Sequence, residues 1–153
     1  MFERILVLCT GNICRSPVAA ALLRQRLPQR QVESAGLGAL VDQPVDATAL
    51  SLAAGCAEDL QSHRARQVST DMLHSMDLIL VMTEAQRRSL ASKHPALMGK
   101  IMLYGQWLKN LHGAPGLDIP DPYRKSRAAF EQVHKLLVQA ADAWQERLGR
   151  EAS

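Results

Sequence analysis

The chain alternates between short apolar runs and stretches in which apolar residues recur every third or fourth position. Ile5-Leu6-Val7-Leu8 after Arg4, and Leu78-Ile79-Leu80-Val81-Met82 after Asp77, are apolar at every position. Such runs predict strands buried on both faces, as in a parallel sheet, since a strand with one wet face would alternate. Ile101-Met102-Leu103-Tyr104, closed by Gly105, predicts a further strand, and Val32-Glu33-Ser34-Ala35 a weaker one entering a turn at Gly36-Leu37-Gly38. Between these runs the period changes. Val18, Ala21, Leu22 and Gln25 fall on successive turns of a helix from Pro17 to Leu27, ended by Pro28. Phe130, Val133, Leu137, Ala140, Ala141, Trp144 and Leu148 trace the core face of a long helix from Ser126 to Leu148. Shorter helices are predicted from Asp46, as cap, to Ala54 with Gly55 as terminator, from Thr70 to Met76, and from Thr83, where Thr-Glu-Ala-Gln carries a capping-box signal.

Strands alternating with helices predict a single three-layer α/β domain over residues 1–153: a central four-stranded parallel twisted sheet, helices on both faces and right-handed crossovers. The loop after the first strand then lies at the carboxyl end of the sheet, where such sheets place ligands. A length of 153 residues and 47% hydrophobic composition support one core, and no repeat or low-complexity linker suggests a second unit. No apolar run approaches the ~20 residues that cross a bilayer, and Met1-Phe2-Glu3-Arg4 leads straight into the first strand. A soluble, cytoplasmic protein without membrane insertion is therefore expected.

Three cysteines, an odd number, fit a reducing compartment without a structural disulfide, and Cys56 reads as a core residue. Zinc is not expected, because Cys9 and Cys14 lack a second ligand pair at finger-like spacing and the five histidines are scattered. Net charge is +3, which helps steer an acidic phosphopeptide; with no long basic run and only 4% aromatics, nucleic acid is a poorer fit.

Candidate chemistry lies in Cys9-Thr10-Gly11-Asn12-Ile13-Cys14-Arg15-Ser16-Pro17, directly after the first strand. Ser16-Pro17 reads as a helix start with serine as the cap, and Gly11 as the residue that lets the backbone turn. A loop of free N–H groups at a helix N-terminus favours both a phosphate and a thiolate. Five residues intervene between Cys9 and Arg15, so a planar guanidinium can grip two phosphate oxygens while the sulfur faces phosphorus. Cys9 is thus the candidate nucleophile, Arg15 the candidate anion clamp, and Thr10 to Cys14 with Ser16 the candidate phosphate-binding loop. The Ser16 hydroxyl is expected to hydrogen-bond the sulfur, and Asn12 to hold the loop's shape from within. A phenolate leaves poorly unless protonated, so an acid must face the sulfur. Asp121, in the proline-bracketed Asp118-Ile119-Pro120-Asp121-Pro122-Tyr123, is the candidate, delivered by the long irregular segment from Asn110 to Pro120. Tyr123, beside it, reads as a cleft wall for an aromatic ring.

Taken together, Cys9-Thr-Gly-Asn-Ile-Cys-Arg-Ser16 and Asp121-Pro-Tyr123 resemble the low-molecular-weight protein tyrosine phosphatase family. The similarity extends through Glu33-Ser34-Ala35-Gly36, Ser62-His63-Arg64-Ala65-Arg66-Gln67 and Asp77 to Met82. It implies hydrolysis of phosphotyrosine through a cysteinyl-phosphate, with inorganic phosphate as product and no cofactor or metal. It implies that Ser34 supports Asn12 by a hydrogen bond. Leu40 falls where the family often places an aromatic residue lining the cleft, which leaves looser apolar contact with substrate. Asp121-Pro-Tyr-Arg-Lys-Ser-Arg127 resembles bacterial members that act beside tyrosine autokinases in capsule and exopolysaccharide export, so such a kinase is the expected partner.

Read alone, His63-Arg64-Ala65-Arg66 is a solvated turn; the resemblance gives it a structural place near the site. Cys14 stands either as a small passive residue or as a redox partner that shields Cys9 in a reversible disulfide. Three other functions remain in view. An arsenate reductase needs further cysteines, which Leu80 to Leu90 lacks and only Cys56 could supply. A protein-arginine phosphatase tends to carry threonine where this chain has Ile13. A non-catalytic phosphate-binding module would not need Cys9, Arg15 and Asp121 together.

Overall fold

The computed structural model of the protein describes residues 2–149, so Met1 and the last residues of the expected 1–153 span lie outside the description. Four strands form one sheet in the order β2-β1-β3-β4: β1 (Arg4–Cys9), β2 (Gln31–Gly36), β3 (Leu78–Val81) and β4 (Ile101–Leu103). All three pairings are parallel, with Val7 opposite Ser34 on one side and Leu80 on the other, and Leu80 opposite Met102. The unbroken apolar runs follow from this arrangement. Ile5, Val7 and Cys9 with Leu78, Leu80 and Met82 face one core layer, while Leu6, Leu8, Ile79 and Val81 face the other.

On the first face lie α1 (Arg15–Arg26), α2 (Ala47–Leu52), α3 (Ala57–Gln61) and α6 (Arg127–Gly149), with α1 packed along α6. All seven apolar positions assigned to the face of α6 are buried. Trp144 of that face donates its indole N–H to the Tyr104 carbonyl at 2.8 Å, and the buried Tyr104 hydroxyl donates to the Ala19 carbonyl at 3.1 Å. These two bonds join α6, the end of β4 and α1 through polar groups that burial would otherwise leave unsatisfied. On the second face, α4 (Thr70–His74) and α5 (Glu84–Lys93) cover Leu6, Leu8, Ile79 and Val81 with Leu73 and Leu90. Among the described residues no helix is long and apolar enough to cross a membrane.

Several local expectations change. The helix capped by Asp46, whose carboxylate accepts from the Thr48 and Ala49 amides, stops at Leu52, and Gly55 falls inside a following 3₁₀ turn, Ala54–Cys56. α3 was not predicted, since five residues are too few to display a period. The cap of α4 is Ser69, one residue before the expected start. Residues Pro95–Lys100 form a 3₁₀ helix, too short to leave a period in the sequence. Trp107 packs edge to face on Trp144, ring centroids 5.4 Å apart, with the Arg147 guanidinium 3.8 Å from its ring centroid, and so fastens onto α6.

Candidate active site

The loop from Thr10 to Cys14 joins the carboxyl end of β1 to the first turn of α1. Cys9 is buried with its sulfur at the centre of that loop: Sγ accepts the Asn12 amide at 3.3 Å and lies 3.0 Å from Ser16 Oγ. The backbone turns left-handed at Asn12, with φ of 59°, and not at Gly11. Asparagine tolerates that region better than other residues with a Cβ, and here four hydrogen bonds hold it there. Its Nδ2 donates to Ser16 Oγ at 2.8 Å and to Ser34 Oγ at 3.0 Å, its Oδ1 accepts the Arg66 amide at 3.0 Å, and its carbonyl accepts His63 Nε2 at 2.7 Å.

Ser16 is not the helix cap. The first helical residue is Arg15, and Cys14 stands at the cap position without a side-chain bond. The serine hydroxyl therefore projects from the first turn toward Cys9. Since it accepts from Asn12, its own proton is left for the sulfur at 3.0 Å or the Ala35 carbonyl at 3.4 Å. The segment from His63 to Arg66 is likewise no solvated turn. Besides the two bonds to Asn12, Arg66 Nε donates to the Ser34 carbonyl at 3.0 Å, and Ala65 between them is buried.

A carbonyl can only accept, so His63 carries its proton on Nε2. Burial, followed by the charges of Arg24, Arg64 and Arg66, pushes its pKa below the ordinary histidine value, against the opposing pull of the Asn12 carbonyl. A depressed folded-state pKa contributes stability above the unfolded value of about 6.5 that is lost as pH falls through the folded value. The urea midpoint of the protein is therefore expected to drop as pH falls below about 6.5. His63→Gln, which keeps an N–H donor but does not titrate, is expected to show a shallower drop. Equal slopes in the two proteins would remove His63 as a source of acid sensitivity.

Arg15 is buried beside the loop. Its Nη1 donates to the Ile119 carbonyl at 2.7 Å and its Nη2 lies 3.8 Å from Asp121 Oδ2, while Nε is buried without a partner among the described residues. The loop that brings Asp121 is anchored at both sheet and helix. The Ile119 amide donates to the Met82 carbonyl at 2.8 Å, Asp118 accepts from the Glu84 amide at the start of α5, and Leu117 bonds Gly105 backbone to backbone at 3.0 Å. Beyond it, Asp121 Oδ1 accepts the Tyr123 amide at 3.0 Å, an Asx turn that fixes the carboxyl group.

A third segment completes the walls. Backbone bonds from Leu37 to Cys9, Gly38 to Thr10 and Leu40 to Gly11 lay residues 37–40 along the cysteine loop, and the Gln67 side chain ties down the Leu37 carbonyl and the Ala39 amide. This close approach requires Gly36, where a Cβ would come within 2.7 Å of the Thr10 carbonyl oxygen. A cavity of about 120 Å³ results, lined by Cys9, Thr10, Gly11, Ile13, Cys14, Arg15, Gly38, Leu40, Asp121 and Tyr123. Asn12, Ser16 and Ser34 stand behind the loop and shape it. Three residues outside the expected site also stand at it: Gly38, by sequence a turn residue, Gln67, included only through the resemblance, and Gln86, by sequence a capping-box residue. The last of these bonds Thr10 Oγ1 at 3.3 Å through the amide end of the side chain that closes the capping box of α5. Cys14 and Cys56 are free and buried, and burial, with the carboxylates of Asp46 and Asp121 and the Cys9 sulfur adding to it, pushes the Cys14 thiol up to about 12. Near neutrality it is therefore a thiol.

The chain matches the model of the low molecular weight phosphotyrosine protein phosphatases over residues 4–153. It is 46% identical over 149 residues to the low molecular weight protein-tyrosine-phosphatase Etp of Escherichia coli (strain K12), covering 97% of each chain. The crystal structure of the tyrosine phosphatase Wzb from Escherichia coli K30 in complex with phosphate superposes with a TM-score of 0.86 at 42% identity, over 97% of this chain and 99% of that one. The YwlE arginine phosphatase from Geobacillus stearothermophilus shares the fold, with a TM-score of 0.84, at 29% identity over 97% and 94% of the two chains. A cysteine, an arginine and a carboxyl group around one small cavity, on a fold and sequence shared this closely with tyrosine phosphatases, place the chain in the low molecular weight phosphotyrosine protein phosphatase family.

Proposed function

We propose that the chain, acting as one domain over residues 1–153, is a cytoplasmic enzyme that hydrolyses phosphotyrosine in proteins through a cysteinyl-phosphate. The observation that carries this reading is that Cys9, Arg15 and Asp121 line one cavity of about 120 Å³, room for a single phosphoryl group. In the first step the Cys9 thiolate attacks phosphorus in line, the bond from phosphorus to the phenolic oxygen breaks, and the Asp121 carboxyl proton passes to that oxygen. The equatorial oxygens receive the loop amides and Arg15, whose unpartnered Nε is a donor suited to them. In the second step water attacks phosphorus, its proton passes to the Asp121 carboxylate, and the phosphorus–sulfur bond breaks to release inorganic phosphate and the thiolate. Amides and guanidinium supply the positive potential, so no metal takes part.

The partner we assign is a tyrosine autokinase of polysaccharide export, supported by the run from Asp121 to Arg127. A phosphoarginine substrate is less suited, because Ile13 gives the cavity an apolar wall that an aryl ring can pack on and a guanidinium cannot hydrogen-bond. Turnover of para-nitrophenyl phosphate and of a phosphotyrosine peptide in the presence of a chelator, with a phosphoarginine peptide at least about tenfold slower, is the expected result. No turnover of either aryl substrate would leave a binding module, and faster phosphoarginine turnover would make the substrate arginine.

A further inference from the structure

Beside the cavity, and sharing Ile13, Leu40 and Tyr123 with it, runs a groove of about 740 Å³ whose far wall is Val41, Pro44 and Val45. Among the described residues five large hydrophobic side chains are exposed, and three of them, Val41 at 55%, Leu40 at 39% and Tyr123 at 37%, stand here. The backbone of the wall is engaged inward. The Asp42 amide donates to the Ala65 carbonyl at 2.8 Å, Ala65 returns a bond to Gln43 at 2.9 Å, and Asp46 donates to the Ile13 carbonyl at 3.0 Å. The Asp46 carboxylate is held by the first turn of α2. The groove is therefore a fixed surface on which the exposed side chains of Leu40, Val41 and Tyr123 converge, with Gln43 and Asp46 also in its lining, and it opens from the mouth of the phosphate cavity.

We propose that this groove is a second substrate subsite, which takes a branched aliphatic side chain of the phosphoprotein close in sequence to the phosphotyrosine. The inference rests on the phosphotyrosine reading above and adds the class of substrate. An extended peptide advances about 3.3 Å per residue, so with its phosphotyrosine in the cavity a residue within three positions crosses the shared wall of Leu40 and Tyr123 into the groove. A carboxylate there would meet the apolar side chains of Leu40, Val41 and Tyr123 and the like charge of Asp46.

Phosphotyrosine peptides in which each position from three before to three after the phosphorylated residue carries in turn Leu, Ser, Lys or Glu test this. One position is expected to favour Leu over Ser and Glu at least fivefold in kcat/KM. Val41→Asp is expected to erase that preference and Val41→Ile to keep it, while para-nitrophenyl phosphate, too short to reach Val41, is turned over by all three proteins within a factor of two. A flat profile, or a preference for Lys, with para-nitrophenyl phosphate still hydrolysed, would overturn the subsite and leave the phosphatase reading intact. A failure of the parent on para-nitrophenyl phosphate would instead remove that reading. A concentration-dependent dimer of the parent, seen by light scattering and dispersed by Val41→Asp, would assign the groove to a second copy of the chain and overturn the proposal.

Discussion

Cys9→Ser is expected to lower kcat by roughly 10⁴-fold or more, the scale of loss seen when a covalent nucleophile is removed. The substitution changes one atom at a position where Sγ accepts the Asn12 amide at 3.3 Å and lies 3.0 Å from the Ser16 hydroxyl. An oxygen there can accept the same bonds, so the left-handed turn at Asn12 and the aim of the loop amides are expected to survive. What goes is the ability to attack phosphorus at neutral pH, because a serine hydroxyl has no base among its bonded neighbours to take its proton. The variant is therefore expected to bind inorganic phosphate with an affinity within about threefold of the parent while turning over nothing measurable, since the proposed anion binding rests on the amides and Arg15. Calorimetric titration with phosphate and a para-nitrophenyl phosphate assay check the two halves separately. Retention of more than about one per cent of the parent's kcat would remove Cys9 as nucleophile, because direct attack by water leaves only a far smaller residue of activity.

That separation is possible because the loop is held by groups outside it, and those were the hardest to find in the sequence. β1, β3 and α6 were legible because burial on two faces or on one helical stripe leaves a period in the residues themselves. The caps at Asp46 and Thr83 were legible because a cap bonds within three residues of itself. The sequence points to Asn12 as the residue that holds the loop, but intrinsic preference points to Gly11 as the residue that lets the backbone turn and to Ser16 as the cap. Tertiary bonds overrode both. Asn12 takes the unusual conformation because Ser16, Ser34, His63 and Arg66 bond it there, and three of those partners come from 22 to 54 positions away. Nothing in local spacing reports bonds of that length. Read from spacing, the segment from His63 to Arg66 looks like charge in solvent, and only the resemblance placed it near the site. The groove beyond Leu40 is invisible for a related reason: an exposed valine or tyrosine is ordinary alone and becomes informative only when several converge.

Asp121→Asn is expected to reduce turnover of a phosphotyrosine peptide by about 10²–10³-fold, the contribution of a positioned general acid. The fold is not the cause. Asparagine keeps an oxygen able to accept the Tyr123 amide, now bonded at 3.0 Å, and so keeps the turn. The ion pair lost with Arg15 is long, 3.8 Å, and its carboxylate side chain is 47% exposed, so its removal costs at most about 1 kcal/mol. Arg15 remains held by the Ile119 carbonyl at 2.7 Å. The loss is expected to depend on the leaving group. A phenol as basic as tyrosine needs a proton as its bond to phosphorus breaks, whereas a dinitrophenolate does not, so across a series of aryl phosphates the variant's phosphorylation rate falls more steeply with leaving-group pKa than the parent's. In the proposed second step the same carboxylate is the base for the attacking water, a role that a neutral amide cannot fill. With a dinitrophenyl ester the variant is therefore expected to release one equivalent of phenol in a burst and then turn over slowly, as cysteinyl-phosphate accumulates. Rapid-quench measurement of that burst decides the matter: an equal loss with every leaving group and no burst would mean that Asp121 holds the cleft in shape and transfers no proton.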